Sequence, residues 1–313
     1  MNTLLQRQEQ VRMLEGALFW LNSHIEEFVT PKEDAIGGSD PEHIKPDLSR
    51  KAFTELGLAL RLAQRSPALK HHPDLAQLQQ AWLDILHQQN FFYDIRRRLQ
   101  LFPHRIIAYA TMRAFGLDDE HVHKDLQIVM DRQYMDRVER SAWEKLDMKY
   151  YIQAAGLNEQ FPSYQQLLDA SSLNQLPLLS YVQNFDLYGL THLLFHFSDF
   201  GAVDMRQFLG DIYQPVQDYV DLSLTMCLLQ QDWDLVTELL INQYCLGKQF
   251  TALDQDTAQA LQGVQQPAGF IPGRNWIKGQ HSNNPPNKAE HSFADVYHPT
   301  VLALFLMICE LAE

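Results

Sequence analysis

The stretch from Leu4 to Phe28, LLQRQEQVRMLEGALFWLNSHIEEF, decides the class of fold. Because an α-helix turns through about 100° per residue, apolar residues at steps of three, four and seven share one face. The same period runs through almost the whole chain, and the alternation typical of strands is nearly absent. The sequence therefore predicts an all-α protein. The residues that set the pattern in this first helix are Leu4, Val11, Leu14, Leu18, Leu21, Ile25 and Phe28.

The connections between the predicted helices are short, apart from one long irregular segment at about residues 265–297. Short connections favour antiparallel neighbours, which can form either an open solenoid or a closed ring. A solenoid requires a regular repeat of roughly 34 to 47 residues, and the sequence shows no convincing one. We therefore expect residues 1–313 to form a single domain, an irregular α/α toroid of helical hairpins around a central cavity. We expect the last helix to follow Pro299.

The composition excludes several classes of partner. The chain has a hydrophobic content of 46% and a formal net charge of −14, which argues against a nucleic-acid partner because phosphate binding requires clustered cations. The N-terminal residues lack the basic head and apolar run of a signal sequence, and we expect no membrane span. Three cysteines are too few for a disulfide framework, so we expect a cytoplasmic protein.

The stretch GLTHLLFHFSDFG, residues 189–201, carries the residues that suggest chemistry. His192 and His196 are one helical turn apart and, on a continued helix, share a face with Tyr188 and Asp199. Two histidines at this spacing form a common bidentate ligand pair, and a carboxylate can add a third ligand. Asp199 would lie beside the negative end of the helix dipole, so we expect a metal ion, an imidazolium or an arginine to face it.

The alternative is a structural role for these side chains. In that interpretation Asp199 orients His196, and both imidazoles bond to backbone groups or water within the core. His298, preceded by Tyr297 at the entrance of the apolar last helix, favours the functional interpretation. A histidine at that place can reach a cavity from a third direction. A helix-entry histidine in contact with solvent is the competing interpretation.

Three segments together resemble a bacterial family of unassigned function, found with specialised-metabolite and modified-peptide gene sets. They are Thr191-His192 with Ser198-Asp199-Phe200-Gly201, the turn at residues 265–272, and Tyr297-His298. The resemblance implies an α/α fold and a shared site, and it leaves His196, where the family often has tyrosine, as the less secure ligand. The Gln265 to Phe270 turn also loosely resembles a Gln-x-x-x-Gly-x-Trp turn of terpenoid-cyclase-like α/α toroids.

We therefore predict a metal-dependent or acid/base enzyme that acts on a small molecule or peptide, in the biosynthesis of a peptide-derived metabolite. The predicted ligands of a divalent ion are His192, His196, Asp199 and His298, with zinc expected first and iron or copper open. Tyr188 and Tyr297 are the predicted catalytic hydrogen-bonding residues. Residues 274–276 are candidates to close over a basic or neutral substrate. The alternatives are a non-catalytic helical protein that binds a peptide or protein, and a catalytically inactive partner subunit. The oligomeric state stays open.

Overall fold

The computed structural model describes residues 3–34, 46–280 and 293–311, and within these ranges every regular element is helical. The prediction of an all-α protein is confirmed. The α-helices are α1 Arg7–Ser23, α2 Pro46–Ala63, α3 Pro73–Gln88, α4 Phe102–Ala114, α5 Glu120–Asp131, α6 Ala142–Ala154, α7 Tyr164–Asp169, α8 Asn184–Phe197, α9 Met205–Leu209, α10 Tyr213–Leu229, α11 Trp233–Cys245, α12 Ala252–Val264, α13 Arg274–Gln280 and α14 Phe293–Glu310.

Side chains next to the helix ends set several of the boundaries. Ser141, Ser163 and Thr251 each accept a hydrogen bond from a backbone N–H in the first turn of the following helix, and an acidic or amide side chain bonds back. These reciprocal pairs satisfy backbone donors that the helix itself leaves free. The Asp119 side chain caps α5 by accepting from the backbone N–H groups of His121 and Val122. Helices α5, α6, α7 and α12 thus begin where their sequences provide a cap.

The helices that surround the candidate site pack in a definite order. Helix α2 packs against α4, α4 against α6, α6 against α8, α8 against α11, α11 against α14, and α14 against α2. The order of contacts thus returns to the helix where it began. Helix α1 packs on α14, while α10 and α12 pack on α11. Buried apolar side chains from α1 to α14 belong to one cluster. The single-domain toroid itself stays a prediction.

Helix α14 is the apolar centre of this packing. By length and composition it could cross a membrane, but 78% of it is buried inside the protein. The core helix of a soluble protein has the same properties, and the contacts of α14 with α1, α2 and α11 are of that kind. The carboxylate of Glu310, near its end, accepts hydrogen bonds from the Leu4 backbone N–H at 2.8 Å and from the Gln10 amide. This contact joins the two ends of the chain.

The predicted start of the last helix was wrong. Helix α14 begins at Phe293, so Pro299 lies inside it. A proline has no N–H to donate to the carbonyl four residues earlier, which here belongs to Asp295. That carbonyl instead accepts a hydrogen bond of 3.0 Å from the Gly273 N–H, so a partner outside the helix satisfies it. Of the irregular segment predicted at 265–297, residues 274–280 and 293–297 are helical, while 281–292 lie outside the described residues.

The turn after α12 packs closely on α1. The Gln265 side-chain amide donates to the Met13 carbonyl at 3.1 Å and to the Gly269 carbonyl at 2.9 Å. Gly269 has a φ of +99°, and a Cβ there would lie 2.1 Å from the Gly16 carbonyl oxygen. Glycine is therefore required by both the backbone conformation and the close approach.

We predict that Gly269→Ala lowers the free energy of unfolding by at least about 2 kcal/mol, because alanine is strained at positive φ and its methyl group collides with α1. Gly263→Ala is the matched control, because nothing lies within 4 Å of its added Cβ and the residue is helical. The control should be neutral or stabilising by about 1 kcal/mol. Urea unfolding measures both, and equal stabilities of the two variants would contradict the described packing.

Candidate functional site

Polar side chains from five helices meet at one small cavity in the interior. The cavity has a volume of about 50 Å³, which is room for an ion and one or two waters rather than for a substrate. Helices α2, α6, α8, α11 and α14 all contribute to its wall. We call it the central cavity. Its polar lining residues are Glu55, Tyr151, His192, His196, Glu238 and His298.

Two of the histidines that line this cavity converge with an aspartate beside it. The Nδ1 atoms of His192 and His196 lie 3.7 Å and 3.2 Å from Oδ1 of Asp147 on α6. All three ligand atoms lie within 4.8 Å of one another. Two ligands at about 2.1 Å from a tetrahedral zinc ion are about 3.4 Å apart. The distances of 3.2 Å and 3.7 Å from the two Nδ1 atoms to Asp147 Oδ1 lie on either side of that value. We call these three residues the histidine–aspartate cluster.

Each of the three facing atoms is buried, and none has a hydrogen-bond partner among the residues that the structure describes. Burial is the largest influence on the pKa of His196 and lowers it to about 4, so this imidazole is neutral at neutral pH. Burial would also raise the pKa of Asp147, but the two imidazoles outweigh it and hold that pKa below the usual value. Burial lowers the pKa of His192, while Asp147 and two further carboxylates raise it overall. A carboxylate and a neutral imidazole are the protonation states that metal binding requires.

Asp199 lies outside this cluster. Helix α8 ends at Phe197, and Asp199, Phe200 and Gly201 have φ values of +47°, +54° and +90°. This left-handed turn removes Asp199 from the helix face that carries the histidines. Its carboxylate instead bonds the Arg65 guanidinium at 2.7 Å and accepts from the Tyr150 hydroxyl at 2.6 Å. The cation expected opposite Asp199 is therefore an arginine.

His298 of α14 lines the central cavity and faces carboxylates of α11. Its Nδ1 lies 2.8 Å from Oδ1 of Asp234, and its Nε2 lies 3.6 Å from Glu55 and 4.0 Å from Glu238. Burial lowers the pKa of His298, but the carboxylates outweigh it and raise the pKa to about 9. At neutral pH the imidazole is therefore protonated, and its Nε2 can donate a hydrogen bond or a proton into the cavity.

The two tyrosines predicted to be catalytic contact the acidic residues and do not line the central cavity. Tyr188 donates a hydrogen bond of 2.6 Å to Oδ2 of Asp234 and so fixes that carboxylate. Tyr297 is buried between Phe28 and Phe293, and burial together with Glu55 raises its pKa. Burial raises the pKa of both hydroxyls, which therefore stay protonated at neutral pH.

Sequence reasoning missed the acidic residues of the site. Asp234 and Glu238 are one turn apart in a mostly apolar helix, the same signal that drew attention to the histidines on α8. Glu238 is 1% exposed, and its carboxylate accepts a hydrogen bond from Thr191. Asp147 interrupts the apolar pair Leu146 and Met148, which is a weaker signal. No local pattern pairs any of them with His192 or His298, because the partners come from other helices.

Two larger cavities adjoin the central one through its histidines. His196 also borders a cavity of about 400 Å³ that contains Asp199, and His298 also borders one of about 240 Å³. The second of these is lined by Arg274 and Asn275 of α13, two of the residues predicted to close over a substrate. Arg274 lies 3.5 Å from the carboxylate of Asp232 there. His196 and His298 are thus walls between the small interior cavity and spaces large enough for a ligand.

We expect the His298 imidazole to titrate near pH 9, and Asp234→Asn to move its pKa down toward about 6.5. The folded pKa lies above the unfolded value, so the pair stabilises fully below about pH 6.5 and its contribution is lost as the pH rises through about 9. The stability lost in Asp234→Asn should therefore be larger near pH 6 than near pH 10, by on the order of 2 kcal/mol. NMR titration and urea unfolding measure these two effects.

Tyr188→Phe is the matched control, because it removes a neighbour of Asp234 and keeps the ion pair. The raised pKa should persist in this variant. A wild-type His298 that titrates at or below about pH 6.5 would contradict the described contact.

Comparison with known proteins places the chain in a family. Neither curated proteins nor solved structures give a significant match. One family model, described as a domain of unknown function, matches residues 14–308. That span contains every residue of the central cavity and nearly all of the helices described above. The chain therefore belongs to the DUF6895 family.

Proposed function

We propose that this protein is a metal-dependent enzyme in which Asp147, His192 and His196 bind one divalent ion. The observation that carries the proposal is the convergence of their three unpartnered atoms at ligand-to-ligand distances. A cluster whose only role was structural would satisfy these atoms with hydrogen bonds, because a buried unpartnered polar atom costs about 1–3 kcal/mol. An ion satisfies all three at once.

Zinc is the first candidate for this ion. Two imidazoles and one carboxylate are a known catalytic zinc ligand set that leaves a fourth position open, although the same set also suits iron or copper. The volume of the central cavity leaves space for a water at that position. A bound ion would supply Lewis-acid activation of a water or a substrate oxygen.

The chain itself supplies proton donors and fixed charges around that position. His298, protonated at neutral pH and held by Asp234, is the candidate general acid. Burial raises the pKa of Glu238, which faces the same cavity and is the candidate to exchange a proton. Tyr151 places its hydroxyl 3.3 Å from Nε2 of His196 and would orient that ring. A hydrolytic or group-transfer reaction on a small molecule or peptide uses these parts.

The cyclic order of helix contacts supports the further proposal that the fold is an irregular α/α toroid with this site at its centre. A cytoplasmic location and a role in making a peptide-derived metabolite are parts of the same proposal. They are supported by the cysteine content and by the segments that resemble the specialised-metabolite family.

A non-catalytic binding protein is the second candidate. Large apolar side chains are exposed beside a surface cavity of about 380 Å³, with Leu178 72%, Tyr181 81% and Phe185 65% exposed. Phe185 packs on Trp143, whose ring contacts His192, so this surface adjoins the histidine–aspartate cluster. A peptide could bind there without any reaction. The metal measurement below separates the two candidates.

The test is the metal content of the purified full-length protein, measured by mass spectrometry, together with its melting temperature. We expect one divalent ion per chain and a lower melting temperature after treatment with EDTA, because bound metal stabilises only the folded state. Asp147→Asn and His192→Ala should each bind the ion at least about a hundredfold more weakly.

Asp199→Asn is the matched control, because it makes the same substitution at an aspartate that pairs with Arg65 instead. This variant should keep its metal. Loss of metal from Asp199→Asn with retention in Asp147→Asn would contradict the proposed ligand set. A protein that binds no divalent ion, with a melting temperature insensitive to EDTA, would favour the binding-protein candidate.

A further inference from the structure

Arginines line two cavities outside the central one, and His196 borders the first of them. The first is the cavity of about 400 Å³ already described, which also borders Tyr150 and Asp199. The second, of about 430 Å³, adds Arg113 and Gln64. Arg61 and Arg65 belong to the walls of both. The two spaces thus meet at a pair of guanidinium groups contributed by α2.

Arg61 is the unusual member of this group. The residue is only 9% exposed, and its buried Nη1 atom has no hydrogen-bond partner within the described part of the chain. The guanidinium lies 5.2 Å from the centre of the Tyr150 ring, and no carboxylate of the described residues forms a salt bridge with it. A buried cation without an anion is costly. A bound anion would therefore stabilise the Arg61 guanidinium.

The charge of the patch points to the kind of anion. Arg61, Arg65 and Arg113 contribute three positive charges to the walls of the two cavities. Asp199, on the wall of the first cavity, contributes one negative charge, so these four side chains have a net charge of +2. The chain as a whole has a formal net charge of −14. Arg113 uses Nη1 for the Ala155 carbonyl at 2.7 Å and has four further N–H groups. Guanidinium groups bind phosphate oxygens through paired, charge-assisted hydrogen bonds.

We propose that Arg61, Arg65 and Arg113 form a subsite for a dianionic phosphate group carried by a small molecule. His196 borders both this subsite and the central cavity, so a phosphorylated compound bound here would lie next to the histidine–aspartate cluster. The inference that the phosphorylated compound is the substrate rests on the proposed function. The inference that the subsite binds phosphate does not. This subsite favours an acidic ligand, whereas the acidic composition alone suggested a basic or neutral one.

The experiment is a titration of the EDTA-treated full-length protein with inorganic phosphate, followed by calorimetry and by the melting temperature at constant ionic strength. Removal of metal ensures that phosphate is not observed at the histidine–aspartate cluster. We expect saturable binding, with Kd raised about tenfold or more in Arg61→Gln and in Arg113→Gln. Asp199→Asn should bind phosphate more tightly, because it frees Arg65 from its competing carboxylate.

Arg97→Gln is the matched control, since the Arg97 side chain is 85% exposed and forms only a long ion pair of 3.8 Å with Asp94. It should bind phosphate as the wild type does. The proposal would be overturned if the wild type showed no saturable binding of phosphate or bound acetate in preference to phosphate. It would also be overturned if Arg61→Gln and Arg113→Gln, shown to be folded by circular dichroism, bound phosphate as well as the wild type does. Loss of phosphate binding in Arg61→Gln with unchanged metal content would support the subsite independently of the metal site.

Discussion

Ionisable side chains placed among apolar helices must be paired, and the pairing required by this constraint organises the centre of the protein. Each of the relevant contacts joins different helices: Asp147 of α6 faces the histidines of α8, and Asp234 of α11 binds His298 of α14. Tyr188 extends the second contact back to α8. Apolar packing brings these helices together, but it is compatible with many rotations of each helix about its axis. The polar pairs select one of them, because an unpaired buried charge costs several kcal/mol.

Several buried polar atoms lack a hydrogen-bond partner among the described residues, and two groups of them carry the proposals made above. In the histidine–aspartate cluster, the acceptor and donor atoms face one another without forming good hydrogen bonds. At Arg61 a buried guanidinium has no carboxylate partner among the residues at described positions. Natural proteins satisfy most buried polar groups, so such exceptions indicate a ligand or an ion more strongly than the residue types alone. The first exception favours a cation and the second an anion, on opposite sides of His196.

The sequence allows prediction of the parts of the structure that depend on local periodicity. The helices and the shared face of His192 and His196 follow from steps of three and four residues. The position of Asp199 does not, because extrapolating the α8 period past Phe197 ignores the left-handed turn that ends the helix. The roles of Asp147 and Asp234 depend on which helices are neighbours in space. Pattern analysis of one sequence contains no information on that point, although an acid inside an apolar helix marks each as worth attention.

The bond between the Gly273 N–H and the Asp295 carbonyl, made possible by Pro299, has a consequence for how a ligand enters. It ties the residue that precedes α13 to the turn of α14 that presents His298. Arg274 and His298, on either side of this tie, line the same cavity. A molecule that pushes α13 aside must either break this bond or pull on the first turns of α14. A displacement of α13 is therefore mechanically linked to the orientation of the His298 imidazole, the proposed proton donor.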